Sequence, residues 1–296
     1  MLMDCGKPRL QSRYFNHLSL LGKAIDNGEQ PHVFNDGFVN FQPRKESEVI
    51  YDVTEAHAKN GSAAGSGKRQ RARPWSSRAP ESFCSGAIEE AFGTGFRVLV
   101  QHYEAISFED NSGLWVAAKS NPLGLGGPQA HFLVAFPLDP RKDPRGWAFS
   151  KLGIRAEPFP LKHTNFPDAS ICAFTKESGA WLTSDGMTAL IDHYSLWAVK
   201  SWHRSLFGWW PGRQVGVGAL YRRREFVGRE FCGCDSGKRY SNCHQASDSL
   251  VREEYAEMEF RREFRADYEA RFPPTSVIQA AKTKWREVPR MFALIA

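Results

Sequence analysis

Cys172 stands at the end of an irregular run, Pro158-Phe-Pro-Leu-Lys-His163-Thr164-Asn165-Phe-Pro-Asp-Ala-Ser170-Ile171-Cys172. Prolines interrupt helix and strand, and polar groups on such a segment can be aimed at a reacting centre. A thiolate at Cys172 is a nucleophile for acyl transfer. Asn165 carries amide donors that can stabilise the oxyanion formed when a thioester carbonyl is attacked; loss of one such donor slows a reaction by roughly 10²–10³. His163 can serve as a base or as a structural hydrogen-bonder. Singly, a cysteine is most often core filling and a histidine near prolines a satisfied loop residue. The three residues together point to chemistry.

A second constellation follows. Cys232-Gly-Cys234, eight residues, then Cys243-His244 place four soft or borderline ligands within thirteen residues. Such a set suits tetrahedral zinc with every position filled, which is a structural site with no water to activate. Gly237 lets the connection turn tightly, and so short a segment folds with its metal. Lys238, Arg239 and Tyr240 can form a docking surface or a solvated face. The remaining cysteines, Cys5 and Cys84, are isolated like Cys172. Scattered thiols with one tight cluster suit a reducing compartment rather than a disulfide framework.

The elements that must position these residues are legible in part. Strand-like runs occur at Phe96–Tyr103, Leu114–Ala118, His131–Phe136 and Trp147–Ile154, after a short helix over Ser82–Phe92. Short connections between them predict an antiparallel meander, since parallel strands need long crossovers. Met187, Leu190, Ile191, Tyr194, Trp197 and Ala198 mark one face of a helix over Met187–Leu206, with Ser184 or Asp185 as its cap and Pro211-Gly212 as its stop. Phe260, Phe264, Tyr268 and Phe272 recur every fourth residue, predicting a last helix over Leu250–Phe272 that packs on the domain. The fold class is α+β, with helices on one side of the sheet.

Residues 1–80 read as an extension with one amphipathic helix over Tyr14–Ile25. It ends in a basic linker, Gly61–Arg78, rich in small residues. Gly67-Lys68 superficially suggests a phosphate-binding loop, but Ser62 replaces the required glycine and Arg69 the magnesium-binding hydroxyl. The chain has 296 residues, of which 42% are apolar and 24% charged, a balance that suits folded rather than disordered protein. The net charge of +6 is too mild to demand a nucleic-acid partner. No apolar run reaches the roughly 18 residues of a membrane span, and the charged N-terminus is unlike a secretory signal, so a cytoplasmic protein with no membrane partner is expected.

The motif string resembles the active site of the ubiquitin-conjugating enzymes, in which His-Pro-Asn is followed by a flap ending in Gly-Ser-Ile-Cys and then by a Trp. The matching residues are His163-Thr164-Asn165, Ala169-Ser170-Ile171-Cys172 and Trp181. The meander, Phe136-Pro137, Pro158 and Pro160 fall where that fold puts its sheet and its Tyr-Pro-x-x-Pro segment, and Met187–Leu206 takes the place of the helix after the active site. Thr164 replaces the middle Pro. The interval from Asn165 to Cys172 is one residue shorter than in the family and that from Cys172 to Trp181 one longer. Asp185 matches the family's acceptor-activating acid by position only. The cysteine cluster is similar to the SEC-C-type zinc knuckle, with Gly233 in place of Pro and Asp235 in place of the first Gly.

The resemblance implies a UBC-like antiparallel meander with flanking helices over 81–212, a zinc knuckle over 222–247 and a C-terminal helical tail over 248–296. It implies that Cys172 carries the C-terminus of a partner protein as a thioester and passes it to an amine. Asn165 would stabilise the intermediate, His163 would shape the loop, and zinc would be structural. Chains that join such a domain to such a knuckle look like those of bacterial antiphage systems with cyclic-oligonucleotide signalling. There the partner is a cGAS-like nucleotidyltransferase. With no ATP motif in the chain, another protein must activate the acyl group, or the thioester must form from an existing peptide bond. Two other readings compete: a cysteine peptidase with a Cys172–His163 dyad, and a UBC-like binding adaptor without turnover.

Overall fold

The computed structural model describes residues 18–27, 30–33, 39–42, 86–110, 112–123, 127–174 and 180–286. The linker Gly61–Arg78, the beginning of the helix read from Ser82, and both Cys5 and Cys84 lie outside these residues. The first element, α1, spans residues 18–26. It matches part of the amphipathic helix read from the N-terminal segment. Its apolar face is not left in an extension, because Leu18, Leu21 and Ile25 are buried in the main core. Gly22 permits this approach: a Cβ there would lie 2.0 Å from the His203 imidazole. A small hairpin pairs β1 (Gln30–Val33) with β2 (Val39–Gln42).

A continuous helical stretch then runs from α2 (Gly86–Ile88) through a π-helical turn, Glu89–Gly93, into α3 (Thr94–His102). This corrects the strand expected over Phe96–Tyr103. Val98 and Val100 carry strand propensity, but Phe96, Leu99 and Tyr103 are buried at helical spacing, and burial overrides propensity. The sheet begins one residue later. It is an antiparallel meander in the order β3 (Glu104–Asp110), β4 (Gly113–Lys119), β5 (His131–Pro137), β6 (Arg145–Lys151) and β7 (Glu157–Pro158). Val116 faces Val134 across β4 and β5, and Leu133 faces Trp147 across β5 and β6.

The inner strands are buried on both faces, so they read as unbroken apolar runs rather than alternating ones. One face presents Leu114, Val116, Phe132, Val134 and Ala148 to α1, α3 and α4 (Gly186–Phe207). The other presents Trp115, Leu133, Trp147 and Phe149, which the C-terminal helix α8 (Thr275–Lys282) covers with Val277, Ala280 and Ala281, followed by Trp285. Helices therefore lie on both sides of the sheet, not one. The apolar face of α4 is buried as read from its spacing. The helix stops at Gly208, in the left-handed conformation with its N–H on the Arg204 carbonyl (2.8 Å), before Pro211-Gly212 is reached.

Beyond α4 a third core forms from α5 (Gly218–Glu225), the cysteine cluster, α6 (Gln245–Leu250) and α7 (Glu253–Phe264). The single helix expected over Leu250–Phe272 is not present. Leu250 ends α6, Arg265 turns left-handed after α7 (φ 51°), and α8 starts beyond Pro273-Pro274. Three of the four recurring aromatics nonetheless pack together, whereas Phe272 is 65% exposed. Phe260, Phe264 and Tyr268 converge on Phe166, with ring centroids at 4.9, 5.1 and 5.8 Å. Because the chain turns at Arg265, Tyr268 folds back onto a residue of the segment that carries Cys172.

Candidate active site and metal centre

The segment from Lys162 to Cys172 is a small two-stranded turn laid beside the sheet edge. Thr164 and Ile171 form a β-bridge; Cys172 N–H donates to the His163 carbonyl (2.9 Å) and Asn165 N–H to that of Ser170 (2.7 Å). Ile171 N–H donates to the Gly146 carbonyl on β6 (2.7 Å). Asp168 fixes the tip. It accepts Ser170 N–H (3.0 Å) and pairs with Arg145, while its carbonyl accepts the Trp147 indole N–H (2.8 Å). His163-Thr164-Asn165 and Ser170-Ile171-Cys172 thus lie side by side, as three residues facing three.

The Asn165 amide donates to the Ser170 hydroxyl (3.1 Å) and to the Ile171 carbonyl (3.2 Å), the residue before the candidate nucleophile. Cys172 itself is half-buried, and burial pushes its thiol above the ordinary 9.0. Tyr194 of α4 and Tyr221 of α5 are raised above the ordinary phenol range, first by burial. After Cys172 the chain is held by α4. His193 Nε2–H donates to the Ala180 carbonyl (2.9 Å), its ring meets Phe174 edge-on, and Trp181 donates to the Gly186 carbonyl (3.0 Å). Asp185 accepts Leu182 N–H (2.6 Å), so it caps the turn that leads into α4.

His163 is built into the framework. Its backbone is left-handed (φ 52°), and its carbonyl accepts both Cys172 N–H and the Trp197 indole N–H (2.7 Å). Its Nε2–H donates to Gln214 Oε1 (2.8 Å), and the ring packs on Trp210 at 4.2 Å. Burial, with neighbouring Lys162, holds the imidazole down to about 3, so it is neutral at physiological pH.

Lys162, Gln214 and Glu230 are absent from the sequence reading. Lys162 and Glu230 are 2% and 0% exposed and pair at 2.6 Å. Burial lowers the Lys162 ammonium to about 8 against the attraction of Glu230. Sixty-eight positions separate the two, and no local pattern joins them.

The second constellation is assembled as its spacing predicts. One ligand atom from each of Cys232, Cys234, Cys243 and His244 lies within 4.8 Å of all the others. Cys232 Sγ is 3.1 Å and Cys243 Sγ 3.3 Å from His244 Nδ1, and the Cys234 and Cys243 sulfurs are 3.5 Å apart. Metal–sulfur bonds of about 2.3 Å in a tetrahedron require ligand separations of roughly 3.8 Å, so this group can hold a metal ion after small adjustments. The Ser236 hydroxyl and N–H draw the Cys234 thiol down to about 6, whereas burial pushes Cys232 up. Gly233 is required by its surroundings: its φ is +74°, and a Cβ would lie 2.4 Å from the Gly216 nitrogen.

Comparison with protein-family models, with curated proteins and with solved structures found no match. Among the described residues, no helix is long and apolar enough to cross a membrane.

Proposed function

We propose that Cys172 carries an acyl group as a thioester and delivers it to an amine, in the manner of a ubiquitin-conjugating enzyme. The observation that carries this reading is the turn itself: Asn165, with its amide on the Ile171 carbonyl, and Cys172, with its N–H on the His163 carbonyl, belong to one paired segment. In loading, the Cys172 thiolate attacks an activated acyl carbonyl and expels its leaving group, the thiolate of an activating enzyme or the amine of a peptide bond. In discharge, an amine attacks the thioester carbonyl, loses a proton to solvent and expels the Cys172 thiolate, and Asn165 exchanges an internal acceptor for the oxyanion of that step. Asn165 is a neutral donor in the same paired turn as Cys172, and it gives up its bond to Ser170 or Ile171 to reach the oxyanion. The antiparallel meander before the segment and α4 after it agree with the order of elements in a UBC-like domain. The peptidase reading loses support because His163 is neutral, buried and engaged by Gln214.

The acyl donor in this reading is the C-terminus of a protein, a cGAS-like nucleotidyltransferase of a bacterial antiphage system, met in the cytoplasm. The metal is zinc, held by Cys232, Cys234, Cys243 and His244. Four protein ligands leave no open position, so the ion supplies folding energy and takes no part in transfer. The test is to mix the chain with such a nucleotidyltransferase, and with an activating enzyme where the system has one, then follow intact mass. An adduct removed by thiol reductant supports the thioester. A shortened partner without an adduct supports a peptidase instead, and complex formation without covalent change supports an adaptor.

A further inference from the structure

We propose that Glu230 is a positioning residue for Cys172, through which the metal-binding module holds the nucleophile's segment in shape. The proposal deepens the reading of Cys172 as an acyl carrier and relies on it for function, but the experiment below does not need acyl transfer.

Glu230 is fully buried, and its two carboxylate oxygens accept from four donors. Oε1 accepts the Trp210 N–H (2.5 Å), and Oε2 accepts Lys162 Nζ (2.6 Å), Gln214 Nε2 (3.0 Å) and Val227 N–H (3.3 Å). Two of these partners lead directly to the active-site turn. Lys162 is its first residue, and Gln214 turns its other amide atom, Oε1, to His163 Nε2–H. His163 in turn presents its carbonyl to Cys172 N–H. A left-handed backbone at a non-glycine residue persists only where its surroundings over-determine it. Gln214, Trp210 and Trp197 provide that constraint on His163, and Glu230 fixes the first two.

On its other side Glu230 opens the cysteine module. Its carbonyl accepts Tyr240 N–H (2.8 Å), Phe231 bridges Arg239, and Cys232 N–H donates to the Lys238 carbonyl (2.9 Å). The ligand-bearing turn therefore begins at the residue whose side chain organises the active-site segment. Ordering that turn around a metal fixes the Glu230 backbone, and the carboxylate passes the constraint through Gln214 and Lys162 to His163 and Cys172.

The test measures amide hydrogen exchange and iodoacetamide modification of the Cys172 peptide in the full chain with its metal bound. Glu230→Gln and Gln214→Leu are compared with wild type. Gln214→Leu leaves the Lys162–Glu230 pair in place and removes the Gln214 bridge from Glu230 and the Phe231 carbonyl to His163, so it decides the matter should Glu230→Gln not fold. The expected result is the metal content of wild type, exchange about tenfold faster or more at residues 163–172, and unchanged exchange in β4 and β5. The Cys172 modification rate is expected to change about threefold or more, and chelation of the metal in wild type to give the same pattern. Unchanged exchange at 163–172 in Gln214→Leu overturns the proposal. So does equal acceleration in β4 and β5, which would make the role one of global stability, or a chelated wild type in which 163–172 stays protected.

Discussion

At His163 burial holds the imidazole neutral, and its Nε2–H is committed to Gln214 Oε1. Cys172 is thus left without help from that imidazole, and burial keeps its thiol above 9.0. Since the thiolate is the reactive form, the rate of Cys172 alkylation is expected to rise about tenfold per pH unit from 6 to 9 with no plateau below 9. A plateau near pH 7 in a stopped-time mass assay would show an activated thiolate and contradict this arrangement. Asn165 separates binding from chemistry. Asn165→Ala is expected to slow discharge of the acyl group to an amine by roughly 10²–10³, while Cys172 alkylation stays within about threefold of wild type. Equal losses in both assays would mean that Asn165 only maintains the turn. The residue types and their order singled out Cys172 and Asn165, and also Cys232, Cys234, Cys243 and His244, which the structure brings together as a group able to hold a metal ion. Lys162, Gln214 and Glu230 were not legible, because a buried ion pair between distant positions leaves no periodicity, and a lone Glu beside a cysteine cluster looks like surface charge.

Among the elements, α4 and strands β4 and β5 followed directly from apolar spacing, since each buries a regular face or an unbroken run. The failures were at ends and faces. The β-branched residues of α3 suggested a strand, while Gly208 and Arg265 end helices earlier than Pro211 and Pro273 suggested. The unbroken apolar runs in β4 and β5 already required cover on a second side, which α8 and Trp285 supply. Trp285 meets Phe149 edge-on at 5.6 Å and is 2% exposed. Trp285→Ala should cost about 3–5 kcal/mol in denaturant unfolding. A loss under about 1 kcal/mol would show that the C-terminal cover is not part of the cooperative fold.

Across the whole molecule, the turn that carries Cys172 is shared between two bodies of packed residues. Its Ile171 hangs on β6, whereas Phe166 sits among Phe260, Phe264 and Tyr268 of the C-terminal module, and Phe272 N–H donates to the Pro167 carbonyl (3.0 Å). Helix α1 joins the same assembly through Asp26, which pairs with Arg239 at 2.6 Å beside the ligand cluster. The sequence suggested separate modules in a row; the folded chain packs them around Cys172, a relation that depends on long-range contacts no local motif encodes. The most direct measurement is peptide mapping of Cys172→Ser after incubation with the intact nucleotidyltransferase and any activating enzyme it requires. An acyl carrier should show an ester joining the partner's C-terminal residue to position 172, stable to thiol reductant and cleaved by hydroxylamine. An unmodified position 172, with wild-type Cys172 also free of any thioester under the same conditions, would contradict that role.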